Sequence, residues 1–301
     1  MRQPGIPDSL WKLLDEVNPA WRSDVKGNSR RVVEAFSAVL ASGSTPGQVK
    51  RNVSYGPHAR QVLDVYYPPA AKHPVPVLIF AHGGAFVDGE KDRTPEIYGN
   101  VCRFMVRNGM LGINLEYRLA PEIRFPAATE DVAAAVAWTR REIAAYGGDP
   151  ERIFLFGHSA GAMHVGLYAY DRRSHPPEGS GIAGLVVLSG RVRAENLAEN
   201  PNAKKVETYY GTDQALMEQG SLVTHLHPGV PPTLVGFAEY ESALIDLHCI
   251  ELIHRLTMLR RRSPPFFRLA RHNHTSTVAQ IDTADDQVGP RILDFIRSVG
   301  Y

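Results

Sequence analysis

The 301 residues suffice for one large α/β domain or two small ones, and 44% hydrophobic with 22% charged content suits a soluble globular chain. A formal net charge of +1 gives no reason to expect nucleic acid or an acidic membrane surface as a partner, and no apolar run approaches the ~18 residues of a membrane-spanning helix. The opening Met1-Arg2-Gln3-Pro4-Gly5 lacks the basic head and apolar core of a signal peptide, so cytoplasm is the expected location. Cys102 and Cys249 both read as small core residues, with no disulfide framework or zinc cluster.

Residues 1–46 differ in pattern from the rest of the chain. Asp8-Ser9 can cap a helix in which Leu10, Leu13, Leu14 and Val17 fall at i, i+3, i+4 and i+7. Val32, Phe36, Val39 and Leu40 suggest a second helix ending near Gly43. The pair is either simple packing or a cap over a site. Residues 49–54 and 61–67 are strand-like, and Pro68-Pro69 suits 61–67 to an outer antiparallel strand. Val75–Ala81 is nearly all apolar, as in a strand buried on both faces. Further buried strands are expected at 110–116, 152–157, 183–189, 233–238 and 266–270. Helices are expected near 95–108, 129–146, 160–170, 243–260 and 286–299, with short helices and loops over 190–230. This alternation predicts a mostly parallel, doubly wound sheet. The arginines at 260–262, just before Ser263-Pro264-Pro265, read as a solvated helix end.

The chemistry centres on Gly157-His158-Ser159-Ala160-Gly161, which closes the apolar run Ile153–Phe156 and opens a small-residue helix start. A serine at a sharp strand-to-helix turn, with glycine two residues to either side, is a nucleophile elbow. Side chains at Gly157 and Gly161 would collide where helix packs on strand. Upstream, His82-Gly83-Gly84 follows the buried strand 75–81. The amides of Gly83 and Gly84, with that of Ala160, form a candidate oxyanion hole, each donor worth on the order of 3 kcal/mol in a transition state. His82 precedes the serine in the chain and is read as structural.

His82-Gly83-Gly84, Tyr117-Arg118-Leu119-Ala120-Pro121-Glu122, Phe125-Pro126-Ala127, Gly147-Gly148-Asp149-Pro150 and the elbow occur in that order. Together they resemble the hormone-sensitive-lipase branch of the α/β-hydrolases, the carboxylesterases of the alpha/beta hydrolase fold-3 type. The match is dense from about 77 to 168 and looser afterwards. The resemblance implies an eight-stranded sheet with an antiparallel second strand, an N-terminal helical cap (1–46) on a catalytic domain (47–301), and an acyl-serine mechanism. It gives Arg118, Asp131 and Asp149 roles in the fold rather than the chemistry.

With chain order serine, acid, histidine, the base lies after Ser159. His164 is too near in sequence, and His248 and His254 fall within a predicted helix, whereas His272 and His274 follow the strand 265–270. The resemblance extends to a Gly-His-Asn-His segment of related esterases and arylformamidase-like hydrolases, whose second histidine maps onto His274; Arg271 stands where glycine is usual. A His272/His274 metal pair has no nearby acidic or cysteine ligand to complete it. Glu241 falls on the family's aspartate position after strand 233–238, with Asp246 as the alternative acid and Glu239 as a loop brace. The expected activity is hydrolysis of small to medium carboxylic esters by Ser159, His274 and Glu241, with no metal or organic cofactor. An arylformamidase-like amidase or a non-catalytic receptor on the same fold are the competing expectations. A small-molecule ester is the expected partner and a homodimer the candidate assembly. Tyr209, Tyr210 and Phe86 fit either the pocket wall or the core.

Overall fold

A computed structural model describes residues 3–69 and 73–299. Eight strands form one sheet: β1 (Gln48–Ser54), β2 (Val62–Tyr67), β3 (Val75–Ala81), β4 (Leu111–Leu115), β5 (Gly148–His158), β6 (Gly184–Leu188), β7 (Thr233–Tyr240) and β8 (Phe266–Asn273). Their spatial order is β1-β2-β4-β3-β5-β6-β7-β8. β2 runs antiparallel to both neighbours, and every pair from β4 to β8 is parallel. The predicted eight-stranded α/β-hydrolase sheet is therefore the observed one.

The central strands read as unbroken apolar runs because each of their faces meets helices. On one face Val77, Ile79, Leu155 and Val187 pack against α4 (Ala127–Glu142), α5 (Ala160–Tyr170) and α8 (Ile245–Arg260). On the other, Leu78, Phe80, Phe156 and Val186 pack against α1 (Asp8–Val17), α2 (Val25–Ala41), α3 (Gly99–Arg107) and α10 (Gly289–Val299). The remaining helices are α6 (Ala203–Tyr210), α7 (Gln214–Gln219) and α9 (Ser276–Ala279). Among the described residues no helix is long and apolar enough to cross a membrane.

Three local expectations need correction. The strand at 61–67 is not the outer one: β1 covers it, and Asp64 at its centre is buried, bonded to the Asn52 amide, Arg51 and Lys91. The segment 266–270 belongs to the open edge strand β8, where exposed and buried residues alternate, so it is buried on one face only. Asp8 does not cap α1. Pro7 stands at the cap position and Asp8 is the first helical residue, where its charge suits the helix dipole.

Both N-terminal helices bury their apolar stripes, Leu10, Leu14 and Val17 on α1 and Val32, Phe36 and Leu40 on α2, in the second core. The start of α2 also reaches the cavity above Ser159 through Val25, Lys26 and Ser29.

Before α10, Asp286 accepts from the amides of Val288 (2.8 Å), Gly289 (2.8 Å) and Asp282 (3.1 Å). Burial nevertheless pushes its carboxyl up to about 6, against the pull of those amides. An acid with a raised folded pKa contributes stability that is full below its unfolded pKa of about 4 and lost as pH rises through 6. We therefore expect the unfolding free energy of the native chain to drop by about 2–3 kcal/mol relative to Asp286→Asn between pH 4 and 7. Urea unfolding across that range checks this; parallel curves for the two proteins would refute it.

Candidate active site

Ser159 sits between β5 and α5 with φ 56° and ψ −121°, a region non-glycine residues avoid at a cost of roughly 1–3 kcal/mol. The surrounding backbone holds it there. Its amide donates to Leu188 O at 3.2 Å, and its carbonyl accepts from Ala162 (3.2 Å) and Arg191 (3.1 Å). The flanking glycines are required by contact. A Cβ on Gly157 would lie 2.4 Å from Ala162 Cα, and one on Gly161 would lie 2.3 Å from the carbonyl oxygens of both Ala81 and His82. Gly157 thus lets α5 fold back on its own strand, and Gly161 lets α5 sit on the end of β3.

The loop after β3 brings Gly83 and Gly84 to the same cavity as Ser159, Ala160 and His274. A Cβ on Gly83 would come within 2.8 Å of Ser159 Cβ; Gly84 has φ +147°, and its Cβ would overlap the Asp88 carbonyl. Among the described residues the Gly83, Gly84 and Ala160 amides have no hydrogen-bond acceptor. His82 is fully buried. Its Nδ1 bonds Gly83 O at 2.8 Å, its Nε2 bonds Glu116 Oε1 at 3.0 Å, and its ring stacks on Tyr117 at 4.4 Å. Burial would raise the Glu116 carboxyl, but the His82 contact, the Lys91 amide and Arg60 outweigh it and hold the group below its usual value. His82 and Glu116 thus brace the glycine loop from beneath.

His274 follows β8 and comes from 115 positions further along the chain to meet the serine. Its Nε2 lies 3.0 Å from Ser159 Oγ and its Nδ1 lies 2.6 Å from Glu241 Oε2. With the proton on Nδ1, the ring donates to Glu241 and accepts from the serine hydroxyl. Glu241 is buried, and its other oxygen accepts the Ala238 amide at 2.8 Å. Asp246 takes no part: it pairs with Arg22 at 3.0 Å on the surface. Glu239 accepts the Arg271 amide at 2.8 Å and pairs with Arg268 at 3.0 Å, so it braces the loop.

Arg271 stands in the left-handed region, φ +63°, which explains why glycine suits the position. Three contacts hold the arginine there: Glu239 on its amide, Asp15 on its guanidinium (3.0 and 2.8 Å), and the Trp11 ring beneath it at 4.8 Å. His272 faces elsewhere, bonding Ser276 Oγ at 3.0 Å and meeting Trp11 edge-on.

Two contacts were not readable from residue spacing. His158 Nε2 bonds His274 O at 2.9 Å and ties the histidine loop to the elbow; burial, then the nearby His274, holds its pKa well below the usual value. Ser29 Oγ meets Thr275 Oγ1 at 2.8 Å and ties α2 to the same loop. Phe86, Tyr209 and Tyr210 do not line the cavity. They pack on one another at 4.7–5.4 Å as core, with His164 among them pushed down to about 3 by burial.

The family model BD-FAE matches residues 63–240, more than half of the chain. The chain belongs to the BD-FAE family. The fold and motifs are those of an α/β-hydrolase. This BD-FAE chain is 27% identical over 266 residues to the carboxylesterase NlhH of Mycobacterium tuberculosis, covering 80% of this chain and 81% of the relative. It is 31% identical over 161 residues to a probable isoprenylcysteine alpha-carbonyl methylesterase, ICMEL2, of Arabidopsis thaliana, covering 51% of this chain and 37% of the relative. The chain therefore spans well under half the length of that plant relative. An esterase of Pyrobaculum calidifontis shares the fold, with a TM-score of 0.75 at 21% identity over 97% of this chain and 98% of that one.

Overlap with backbone oxygens at Gly161 cannot be relieved by a side-chain rotation. Gly161→Ala is expected to lower stability by about 2–4 kcal/mol and to displace the glycine loop. Chemical denaturation measures the first effect; a loss under about 1 kcal/mol would mean that α5 does not rest on β3 as described.

Proposed function

We propose that this protein is a serine hydrolase that cleaves carboxylic esters of small to medium acyl chain through an acyl-serine intermediate. The observation that carries the reading is the chain of contacts Ser159 Oγ, His274 Nε2, His274 Nδ1 and Glu241 Oε2, at 3.0 and 2.6 Å, formed beside a glycine loop with unbonded amides. The name of the mycobacterial carboxylesterase, matched over four-fifths of both chains, supports the same reaction class.

In this mechanism His274 takes the Ser159 proton as the oxygen attacks the acyl carbonyl. Glu241 holds the ring tautomer and stabilises the imidazolium that forms. The amides of Gly83, Gly84 and Ala160 receive the developing oxyanion. His274 then passes its proton to the departing alcohol. Water enters on the same path: His274 removes its proton, the hydroxide attacks the acyl-serine, and the acid leaves as Ser159 regains its proton. Strain at Ser159 keeps its oxygen clear of the helix and aimed into the cavity of about 540 Å³. We further propose that residues 1–46 act as a cap on a catalytic domain of residues 47–301. Val25, Lys26 and Ser29 on one cavity wall support this.

Turnover of p-nitrophenyl esters from acetate to decanoate is expected to peak at short chains and to fall by at least about 10⁴-fold in Ser159→Ala. Inactivity across the series, with hydrolysis of N-formylkynurenine instead, would move the activity to formamides; inactivity on both would point to a receptor. Glu241→Gln preserves size but offers an amide to Nδ1. It is expected to lower kcat by about 10³–10⁴-fold while KM changes less than tenfold, whereas Asp246→Asn stays within a factor of about three. Equal losses in the two variants would unseat Glu241.

A further inference from the structure

The cavity above Ser159 contains a buried cation that the ester-hydrolysis mechanism does not use. Arg191 follows β6, directly behind the elbow, and lines the cavity with only 3% of its surface exposed. Its amide is committed to Ser159 O, but its guanidinium is poorly satisfied. One terminal nitrogen donates to Asn200 Oδ1 at 3.3 Å, and the other, Nη1, has no partner at all. Among the described residues no carboxylate oxygen lies within 4 Å of it; Glu195, the acid whose charge acts on it, is taken by His248 at 2.7 Å. Burial disfavours the charged form, an effect that Glu195 opposes.

An arginine stays protonated at neutral pH even when buried. Removing it from water without a counter-ion costs several kcal/mol, and chains rarely keep such a group unless something compensates. The rest of the cavity rim has the same sign. Lys205 is paired with Asp88 at 2.6 Å, which leaves Arg93 and Lys26 against Glu90 alone. Arg93 is held by Ser29 Oγ (2.8 Å) and Tyr98 OH (3.4 Å), with no acid within 4 Å among the described residues.

The geometry points to an anionic ester as the substrate, one whose carboxylate, on either the acyl or the alcohol half, is bound by the Arg191 guanidinium. This rests on the proposed ester hydrolysis and narrows it. A planar carboxylate matches the guanidinium fork and supplies the counter-charge that, among the described residues, no carboxylate within 4 Å of this cavity-lining arginine provides. Arg191 is then a specificity determinant rather than a catalytic residue, since its side chain meets the remote carboxylate and only its backbone meets the elbow.

The test compares kcat/KM for two pairs that differ only in charge. One pair is mono-4-nitrophenyl adipate and its carboxamide counterpart; the other is 3-acetoxybenzoate and 3-acetoxybenzamide. The carboxylate is expected to win in one pair by on the order of 10²-fold, mostly through KM, and the winning pair assigns the carboxylate to the acyl or the alcohol half. Arg191→Gln is expected to collapse that ratio to near one and Arg191→Lys to retain part of it. Amides hydrolysed as well as or better than carboxylates in both pairs would overturn the inference, with no variant needed. If no ester is turned over at all, the hydrolase reading fails separately. The anion site is then judged by thermal shift: adipate raising the Tm of the native chain but not of Arg191→Gln sustains it, and no shift in either overturns it.

Discussion

The site depends on one close approach: the backbone of α5 at Gly161 rests on the carbonyls of Ala81 and His82. That contact joins two strands that are neighbours in space but far apart in the chain, since β3 pairs with β5 in parallel register from Val77↔Ile153 to Ala81↔Gly157. Parallel pairing ends both strands at the same edge. The serine at the end of one and the glycine loop at the end of the other therefore arrive side by side. Any side chain at Gly161 would push them apart, and one at Gly83 would push against the serine itself. Backbone packing, rather than hydrogen bonding between side chains, sets the distance between nucleophile and amide donors.

Much of this was legible in the sequence because glycine and apolar runs act locally. The limits of β3 and α5 are those the sequence predicts, and Ser159, His274 and Glu241, which the family resemblance singled out, lie within hydrogen-bond distance in the spatial order Ser159, His274, Glu241 across the site. What was not legible depends on pairing across the sheet. Val62–Tyr67 ends at Pro68-Pro69 and looks like an edge, but whether another strand covers it is decided by Gln48–Ser54, which reads as a strand without showing which strand it pairs with. The last strand looks buried on its apolar content, yet its position at the rim follows from its having no later partner. The aromatic trio Phe86, Tyr209 and Tyr210 is equally apolar on a pocket wall or in a core; only the approach of α6 to the loop after β3 decides.

Arg191 was invisible for a related reason. As a residue in an irregular segment it has the look of a surface charge, and arginines are mostly exposed. Its amide is bonded to the Ser159 carbonyl, and its side chain is buried on the cavity wall next to the elbow. The residue whose amide steadies the strained serine is thus also the one that brings a cation to the cavity wall. Positioning of the nucleophile and charge of the pocket meet in one residue.

The two departures from the family pattern, glutamate at 241 and arginine at 271, meet in one structural device. The pairing of β7 with β8 shifts register between Ala238↔Leu269 and Tyr240↔Asn273, so β8 carries extra residues there. Arg271 lies in that bulge with positive φ, and Glu239 from the opposite strand takes its amide. Bulges of this kind re-aim the residues beyond them. Here the chain leaves the bulge so that His274 N reaches Tyr240 O at 3.1 Å and its ring faces Glu241. The longer acid reaches Nδ1 with one oxygen and turns the other back to the Ala238 amide, bonded at both ends. A left-handed arginine would be a weak point by itself. Clamped by Asp15 and Trp11 from α1, it makes the N-terminal helix part of what holds the histidine in place.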